Sequence, residues 1–332
     1  MNKILGIGGL LLFVWLATWV FSDLLTEHQW SFLTAYNQEN LLKRIALFGI
    51  IGIGVAFVII TGGIDLSIGS VICLVGVGFP WLLMEKDWPL ALALPTVLLI
   101  AAGIGLIHGL LITKLKLQPF VVTLCGLLIY RGVSRGFTGD QTQGFQNSFQ
   151  GLKVLATGKI PLTASFGLPM PVVFLLVVAL ASAFFLNQTV YGRHLKALGN
   201  NEEAARFSGI HTDRMIISAY VICSSLAGLG GLLFVLDVNS AQPVDFGNFY
   251  ELYAIAAAVL GGCSLRGGEG TILGVIIGTA VMRVLNNSIN LIDWISKNIE
   301  LAVIGSVILA GVIVDELAKR MIAKRRSKMD KE

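Results

Sequence analysis

The sequence predicts an all-α integral membrane protein, a polytopic bundle of about ten transmembrane helices with one helix broken near 62–66. Three observations carry this expectation. Of 332 residues, 55% are hydrophobic and only 13% charged, with a mean hydropathy of +0.80, whereas a water-soluble domain keeps roughly a quarter of its residues charged. The apolar residues gather into runs close to the ~20 residues that a helix needs to cross hydrocarbon. The alternation that a transmembrane barrel requires is absent, and a helix satisfies its own backbone hydrogen bonds in lipid. The lipid bilayer is thus an expected partner, and nucleic acid is not.

Apolar segments run near residues 4–22, 42–61, 66–84, 89–113, 118–137, 169–187, 214–236, 251–264, 271–291 and 299–315. The first, in "MNKILGIGGLLLFVWLATWVFSD", has one Lys and then an uncharged run ending in Trp19, Val20 and Phe21. A cleaved signal peptide would have a shorter apolar core and a small-x-small cleavage site, so an uncleaved first span is expected. The 251–264 segment is short enough to be a half-helix. Residues 1–315 then make a single transmembrane domain, and 316–332 a basic cytoplasmic tail. Cys73, Cys125, Cys223 and Cys263 fall inside apolar segments without C-x-x-C spacing, and the four His are scattered. Neither a metal site nor a disulfide framework is suggested, and the cysteines read as small packing residues.

Lys and Arg set the orientation. With the N-terminus in the cytoplasm, 15 of the 24 fall inside and 9 outside. The inner group holds Lys3, Lys114, Lys116, Arg193, Lys196, Arg206, Arg214, Arg266 and the tail "AKRMIAKRRSKMDKE". Both termini are therefore expected in the cytoplasm, which requires an even number of spans. Lys43 and Arg44 fit this poorly, at the outer end of the second span, where snorkelling to headgroups is the available account. Two connections are long. Residues 138–168 are polar, glycine-rich and expected outside; residues 188–213 are expected inside. Within the latter, "NNEEAARFSG" opens on asparagine, a good N-cap residue, puts Glu202 and Glu203 in a first turn and ends at Gly209. That pattern specifies a short helix over 201–208. Held between two spans, it suits docking onto another protein; a solvated connector is the competing reading.

The stretch "IITGGIDLSIGS", residues 59–70, interrupts an apolar run with Gly62, Gly63, Asp65 and Ser67. In one reading, the glycines end one helix and Asp65 is the N-cap of the next, its charge stabilised by backbone N–H groups. In the other, the break lies in the bundle and its polar atoms line a solute path. About 19 residues precede the break in the second span, nearly a full crossing, which favours a break near the cytoplasmic face and the capping role. Both readings are compatible.

Other ionisable groups within apolar segments are His108, Arg131, Arg135 and Arg283. Arg131 and Arg135 share a helix face near the expected outer end, where snorkelling accounts for them. Arg283 lies deeper and is followed by Asn286, Asn287 and Asn290 at helical spacing, so one face of this span meets water or another helix. Gly270, Gly274 and Gly278 form a small-xxx-small ladder suited to close helix packing. The glycine cluster at 267–270 lacks the G-x-x-x-x-G-K-[ST] form, and "ATGKI" near 156–160 has Ile160 where Ser or Thr belongs. No nucleotide site, and no cofactor, is expected in this chain.

Five motifs in register, "GGIDLSIGS" (62–70), "ALGNNEEAARFSGI" (197–210), "NSAQP" (239–243), "YELYAIAAAVLGGCSLRGGEGTILGVIIG" (250–278) and "LNNSINL" (285–291), resemble the membrane permease subunit of bacterial ABC sugar importers, most closely the ribose-type permeases. The resemblance covers nearly the whole chain from about residue 40. It implies a pair of permease subunits (homodimer or heterodimer), two cytoplasmic ATPase subunits carrying ATP-Mg, and a periplasmic sugar-binding protein, in the bacterial inner membrane. It also implies that Gly199, Asn200, Asn201, Glu202, Glu203, Ala204, Ala205 and Gly209 form the coupling segment that docks on the ATPase. There are departures: Tyr253 stands where the ribose-type pattern has Asp, and Cys263 and Arg266 differ from the usual "GGTSLAGG". These argue against assuming ribose. An ion-coupled secondary transporter is the alternative, though it needs buried acidic residues within spans, for which only Asp65 qualifies. A membrane enzyme would need clustered His, Cys or carboxylates, which the sequence does not show.

Overall fold

The computed structural model describes residues 2–24, 32–292, 297–299 and, beyond these, 301–303, 305–306, 309–310 and 313. The expected tenth span (299–315) is described only in part, and the basic tail (316–332) lies wholly outside the described residues.

Helix α1 (Asn2–Trp19) continues into a π-helical turn (Val20–Leu24), and α2 (Ala35–Ile60) follows. The chain breaks over 61–67 and resumes as α3 (Ile68–Met84), α4 (Leu90–Lys114) and α5 (Pro119–Thr138). The 138–168 connection holds β1 (Gln143–Gly144), α6 (Gln150–Thr157), β2 (Lys159–Pro161) and β3 (Gly167–Pro169). Then come α7 (Met170–Gln188), α8 (Val190–Asn200), α9 (Glu202–Phe207), α10 (Thr212–Val238), β4 (Ser240–Ala241), α11 (Tyr250–Leu260) and α12 (Ile272–Leu291). Strands β2 and β3 form an antiparallel hairpin, and β1 pairs antiparallel with β4.

Among the described residues, seven helices are long and apolar enough to cross a membrane: α1, α2, α4, α5, α7, α10 and α12. The shorter apolar helices α3 and α11 lie between them. At 1.5 Å per residue α11 covers about 16 Å, half the hydrocarbon thickness, as the short 251–264 run led one to expect. Burial ranks the helices. The most apolar window of α2 is 83% buried and that of α1 only 6%. An all-round apolar helix such as α2, rich in Ile, Val and Gly, belongs inside a bundle, while α1 lies at its edge against α12. Helix α10 packs on α4, α2 and α3 and ties the core together.

The two ends of the bundle are pinned by ion pairs. At one end Lys43 reaches Asp237 at 2.6 Å, the carboxylate being 4% exposed. The Glu39 carboxylate pairs with Lys159 and accepts the Gly167 N–H at 2.7 Å. Lys43 therefore does not snorkel outward; it clamps α2 to α10. Nor do Arg131 and Arg135 act as one pair. Arg135 forks onto Asp140 at 2.7 and 2.8 Å and holds that carboxyl below the usual carboxylate range. Arg131 donates to the carbonyls of Pro243 (3.1 Å) and Phe246 (2.7 Å), fixing the turn before α11. At the opposite end Lys114 pairs with Asp213 at 2.7 Å, joining α4 to α10. Cys73, Cys223 and Cys263 are buried, but Cys125 is exposed on α5 rather than packed.

The glycine ladder divides between two contacts. A Cβ on Gly278 would lie 2.7 Å from the Gly261 nitrogen, and one on Gly274 would meet the Gly261 carbonyl, so these two seat α12 on the end of α11. Gly270 precedes α12 and packs instead on Ile60 and Cys263. Gly278→Leu is expected to overpack this contact and destabilise the chain by about 1–3 kcal/mol, read as a lower Tm of the purified protein in detergent. A wild-type Tm would mean that α11 and α12 need not touch.

Candidate functional site

Three regions gather the polar residues singled out above. The first is the break. Thr61 ends α2, Gly62 turns with φ +80°, and the chain runs without helix or strand to Ser67. Asp65 is fully buried, but it is not the N-cap of α3. Ser67 holds that position, and Asp65 Oδ1 accepts both the Ser67 N–H (2.9 Å) and the Ser67 hydroxyl (2.7 Å). An Asp side chain readily closes such a turn two residues ahead of itself, so the helix starts later than the capping pattern implied. Around it lie Tyr220, whose hydroxyl donates to the Ile64 carbonyl at 3.0 Å, and His108, whose Nε2 is 2.8 Å from the Tyr130 hydroxyl. His108 is 1% exposed. The sequence marks Asp65 and His108 separately; the bundle places both in one polar cluster between α3, α4, α5 and α10.

The second region joins the break to the 188–213 segment. That segment holds two helices, α8 and α9, where one was expected. Asn201 caps α9 by accepting the Ala204 N–H at 2.9 Å, Glu202 and Glu203 stand in its first turn, and Gly209 follows with φ +81°. Glu202 and Arg206 pair at 2.8 Å one turn apart. Phe207, which no sequence pattern marked, is 92% exposed. A side chain on Gly199 would collide with the Ile60 carbonyl and the backbone of Gly268. The Gly268 N–H in turn donates to the Ile60 carbonyl at 2.9 Å. Backbone thus meets backbone where α8, α2 and the 261–271 loop converge.

The third region is a cavity of about 420 Å³ between the first half of α2, the start of α11 and the last half of α12. Helix α2 contributes Asn40, Leu41, Arg44 and Phe48; α11 contributes Tyr250 and Tyr253; α12 contributes Arg283, Asn286, Asn287 and Asn290. The four polar residues expected on one face of α12 are therefore brought together. Arg283 is 7% exposed, and its guanidinium lies 3.9 Å from the Phe48 ring centre and 4.8 Å from that of Tyr253, within cation–π range. Asn287 exchanges amide hydrogen bonds with Asn37 at 2.8 and 3.1 Å. Of the partners on α2 and α11, the sequence marks only Arg44 and Tyr253, and neither as a cavity residue. Among the described residues no group of three His, Cys, Asp or Glu could hold a metal ion.

A family model described as "branched-chain amino acid transport system / permease component" matches residues 37–312. The chain belongs to this permease family. It is 38% identical to the ribose import permease protein of Escherichia coli over 86% of this chain and 87% of that protein. It is 35% identical to the ribose import permease protein of Haemophilus influenzae over 86% of each chain. It is 32% identical to the D-allose transport system permease protein of Escherichia coli, over 91% and 89% of the two. No solved structure matches it. The permease is a multi-pass membrane protein.

In this permease Asp65 and Ser67 are both fully buried, Asp65 Oδ1 taking both Ser67 donors while Oδ2 has no hydrogen-bond partner. Asp65→Ala leaves two buried donors on Ser67 without their acceptor, at a cost of about 1–3 kcal/mol. The expected result is a clear fall in Tm, smaller for Asp65→Asn, with unchanged solute preference in the protein that folds. A stable variant with altered preference would put Asp65 on the solute path instead.

Proposed function

We propose that this chain is the permease subunit of an ATP-driven (ABC) importer and forms the membrane pathway for ribose or a related monosaccharide. The observation that carries this reading is the polar cavity between α2, α11 and α12. Its asparagine amides suit sugar hydroxyls and its aromatic rings suit the apolar faces of a sugar ring, a few polar groups within a concave, largely preformed site. The relatives, whose names specify ribose and D-allose, support the monosaccharide class. Among the described residues none that lines the cavity is acidic, and Asp65, fully buried, spends one carboxylate oxygen on the Ser67 N–H and hydroxyl. This favours ATP drive over the ion-coupled alternative, which needs a carboxylate on the path.

In this reading residues 1–315 are one transmembrane domain in the bacterial inner membrane, with both termini and the 188–213 segment in the cytoplasm and 138–168 outside. Two permease subunits pair, identical or related. Two ATPase subunits, carrying ATP-Mg, dock on α9 through Gly199–Ala205 and Gly209, and a periplasmic sugar-binding protein delivers solute from the other side. Exposed Glu203 and Phe207 on α9 are the natural contacts. The contact of Gly199 with Ile60 and Gly268 carries a displacement of α9 into the bundle.

Two measurements test this. Collapsing the proton gradient while ATP is retained is expected to spare sugar uptake by cells expressing the chain; abolished uptake would favour ion coupling. Glu203→Lys reverses a charge on α9 away from the bundle, so it is expected to lower ATPase co-purification several-fold at wild-type Tm. Normal recovery of the ATPase and normal uptake would remove α9 from the interface.

A further inference from the structure

We infer that the permease carries a binding site for an anionic phospholipid where α7, α8 and α10 meet. The lipid phosphate lies on Arg193, Lys196 and Arg214, and an acyl chain lies along α7. The site is separate from the sugar pathway. Its apolar part is a stripe on α7, a helix long and apolar enough to cross the membrane. Val177, Leu180 and Phe184 are 62%, 71% and 65% exposed, and Asn187 is exposed as well. Steps of three, four and three residues put these four side chains on one face of the helix. The stripe therefore ends in an amide.

Just past the stripe the chain turns into α8, capped by Thr189, whose hydroxyl accepts the Gly192 N–H at 3.1 Å. The Tyr191 ring lies 5.2 Å from that of Phe185 on α7, and its hydroxyl donates to the Arg214 carbonyl at 3.2 Å. The start of α8 is thus set against both α7 and the first turn of α10. Gly192, Leu195 and Leu198 are the buried residues of α8. Arg193, which is exposed, and half-buried Lys196 lie off that face. The Lys196 ammonium donates to the Asn187 side-chain carbonyl at 3.1 Å, which holds a cation at the very end of the α7 stripe.

Charge decides what this corner takes. Nearby, Lys114 and Lys116 are spent on Asp213 at 2.7 and 3.7 Å, and Arg206 on Glu202 at 2.8 Å. Among the described residues no carboxylate pairs with Arg193, Lys196 or Arg214. Arginine and lysine give phosphate oxygens charge-assisted hydrogen bonds, about twice as strong as neutral ones, and basic pockets between spans bind anionic headgroups. Three such cations below an apolar stripe match a phosphate joined to acyl chains. A zwitterionic lipid brings its own cation to the same place and loses much of that gain.

The test uses the full-length chain in mild detergent, supplied with equal amounts of phosphatidylglycerol and phosphatidylcholine. Native mass spectrometry counts the lipids that each chain retains. Phosphatidylglycerol is expected to be enriched several-fold. Combining Arg193→Gln, Lys196→Gln and Arg214→Gln is expected to bring the two lipids level at wild-type Tm; Lys196→Gln alone, expected to halve the enrichment or more, serves if the triple variant fails to fold. Arg266→Gln removes an equal charge from the neighbouring 261–271 loop and is expected to leave the enrichment in place. Equal retention of the two lipids by the wild type overturns the inference, as does a folded triple variant that keeps the enrichment. An Arg266→Gln effect as large as that of Lys196→Gln also overturns it, because overall charge would then be the cause. Lipids retained alike, with Lys196→Gln lowering ATPase co-purification, would assign the corner to the ATPase instead.

Discussion

A backbone amide or carbonyl without a partner in hydrocarbon costs several kcal/mol, so a span can be interrupted only where other groups take over its hydrogen bonds. The break at 61–67 meets this constraint with bonds from three sources. The Ile60 carbonyl accepts from the Gly268 N–H. The Ile64 carbonyl accepts from the Tyr220 hydroxyl of α10. The Ser67 N–H is taken by the Asp65 carboxylate. Only the last is local. The other two exist once α10 and the 261–271 loop are in place, so the junction of α2 with α3 is a product of the assembled bundle. The course of every later helix follows from that junction.

The same junction explains why glycine is concentrated there. Gly199 presses on the Ile60 carbonyl and on Gly268, and Gly267 and Gly268 hold φ of +89° and +76°, a region only glycine occupies at little cost. Contacts without side chains have no rotamers to absorb movement, and close-packed interiors transmit strain. Phe48 stands twelve residues before Ile60, about 18 Å along α2. Helices α11 and α12, locked to one another through Gly261, Gly274 and Gly278, border the same cavity. Joint and cavity are therefore opposite ends of one packed unit, and a tilt of that unit alters both.

How much of this was legible in the sequence depends on the range of the interaction. Most of the described spans came through within a few residues, because apolar length is a local property, though α2 begins at Ala35 rather than near 42. So did the cap of α9, where Asn201, Glu202 and Gly209 sit within nine residues of one another. Helix α8 was missed because "VYGRHLKALGN" is amphipathic and not apolar overall, which reads as a connector. Asp65 was placed one turn type away from its role, since an Asx turn and an N-cap draw on the same residues. Lys43 looked stranded because Asp237, its partner, lies 194 residues on. The α12 face of the cavity was legible from the spacing of Arg283 and the asparagines. Asn40, Arg44, Phe48 and Tyr250 were not, as no local pattern states which helix a polar face will meet.

The placement of cations argues for what kind of cavity this is. Lys43, Lys114 and Arg135 lie near helix ends, and each is balanced by a carboxylate: Asp237, Asp213 and Asp140. The first two pairs join helices, and the third closes the turn that follows α5. Arg283 lies deeper, over the rings of Phe48 and Tyr253, so the cation of the cavity is seated on aromatic faces. The resemblance to ribose-type permeases leads one to expect Asp at position 253. With Tyr there, that wall of the cavity is an aromatic ring, and much of its polar lining comes from the asparagines of α2 and α12.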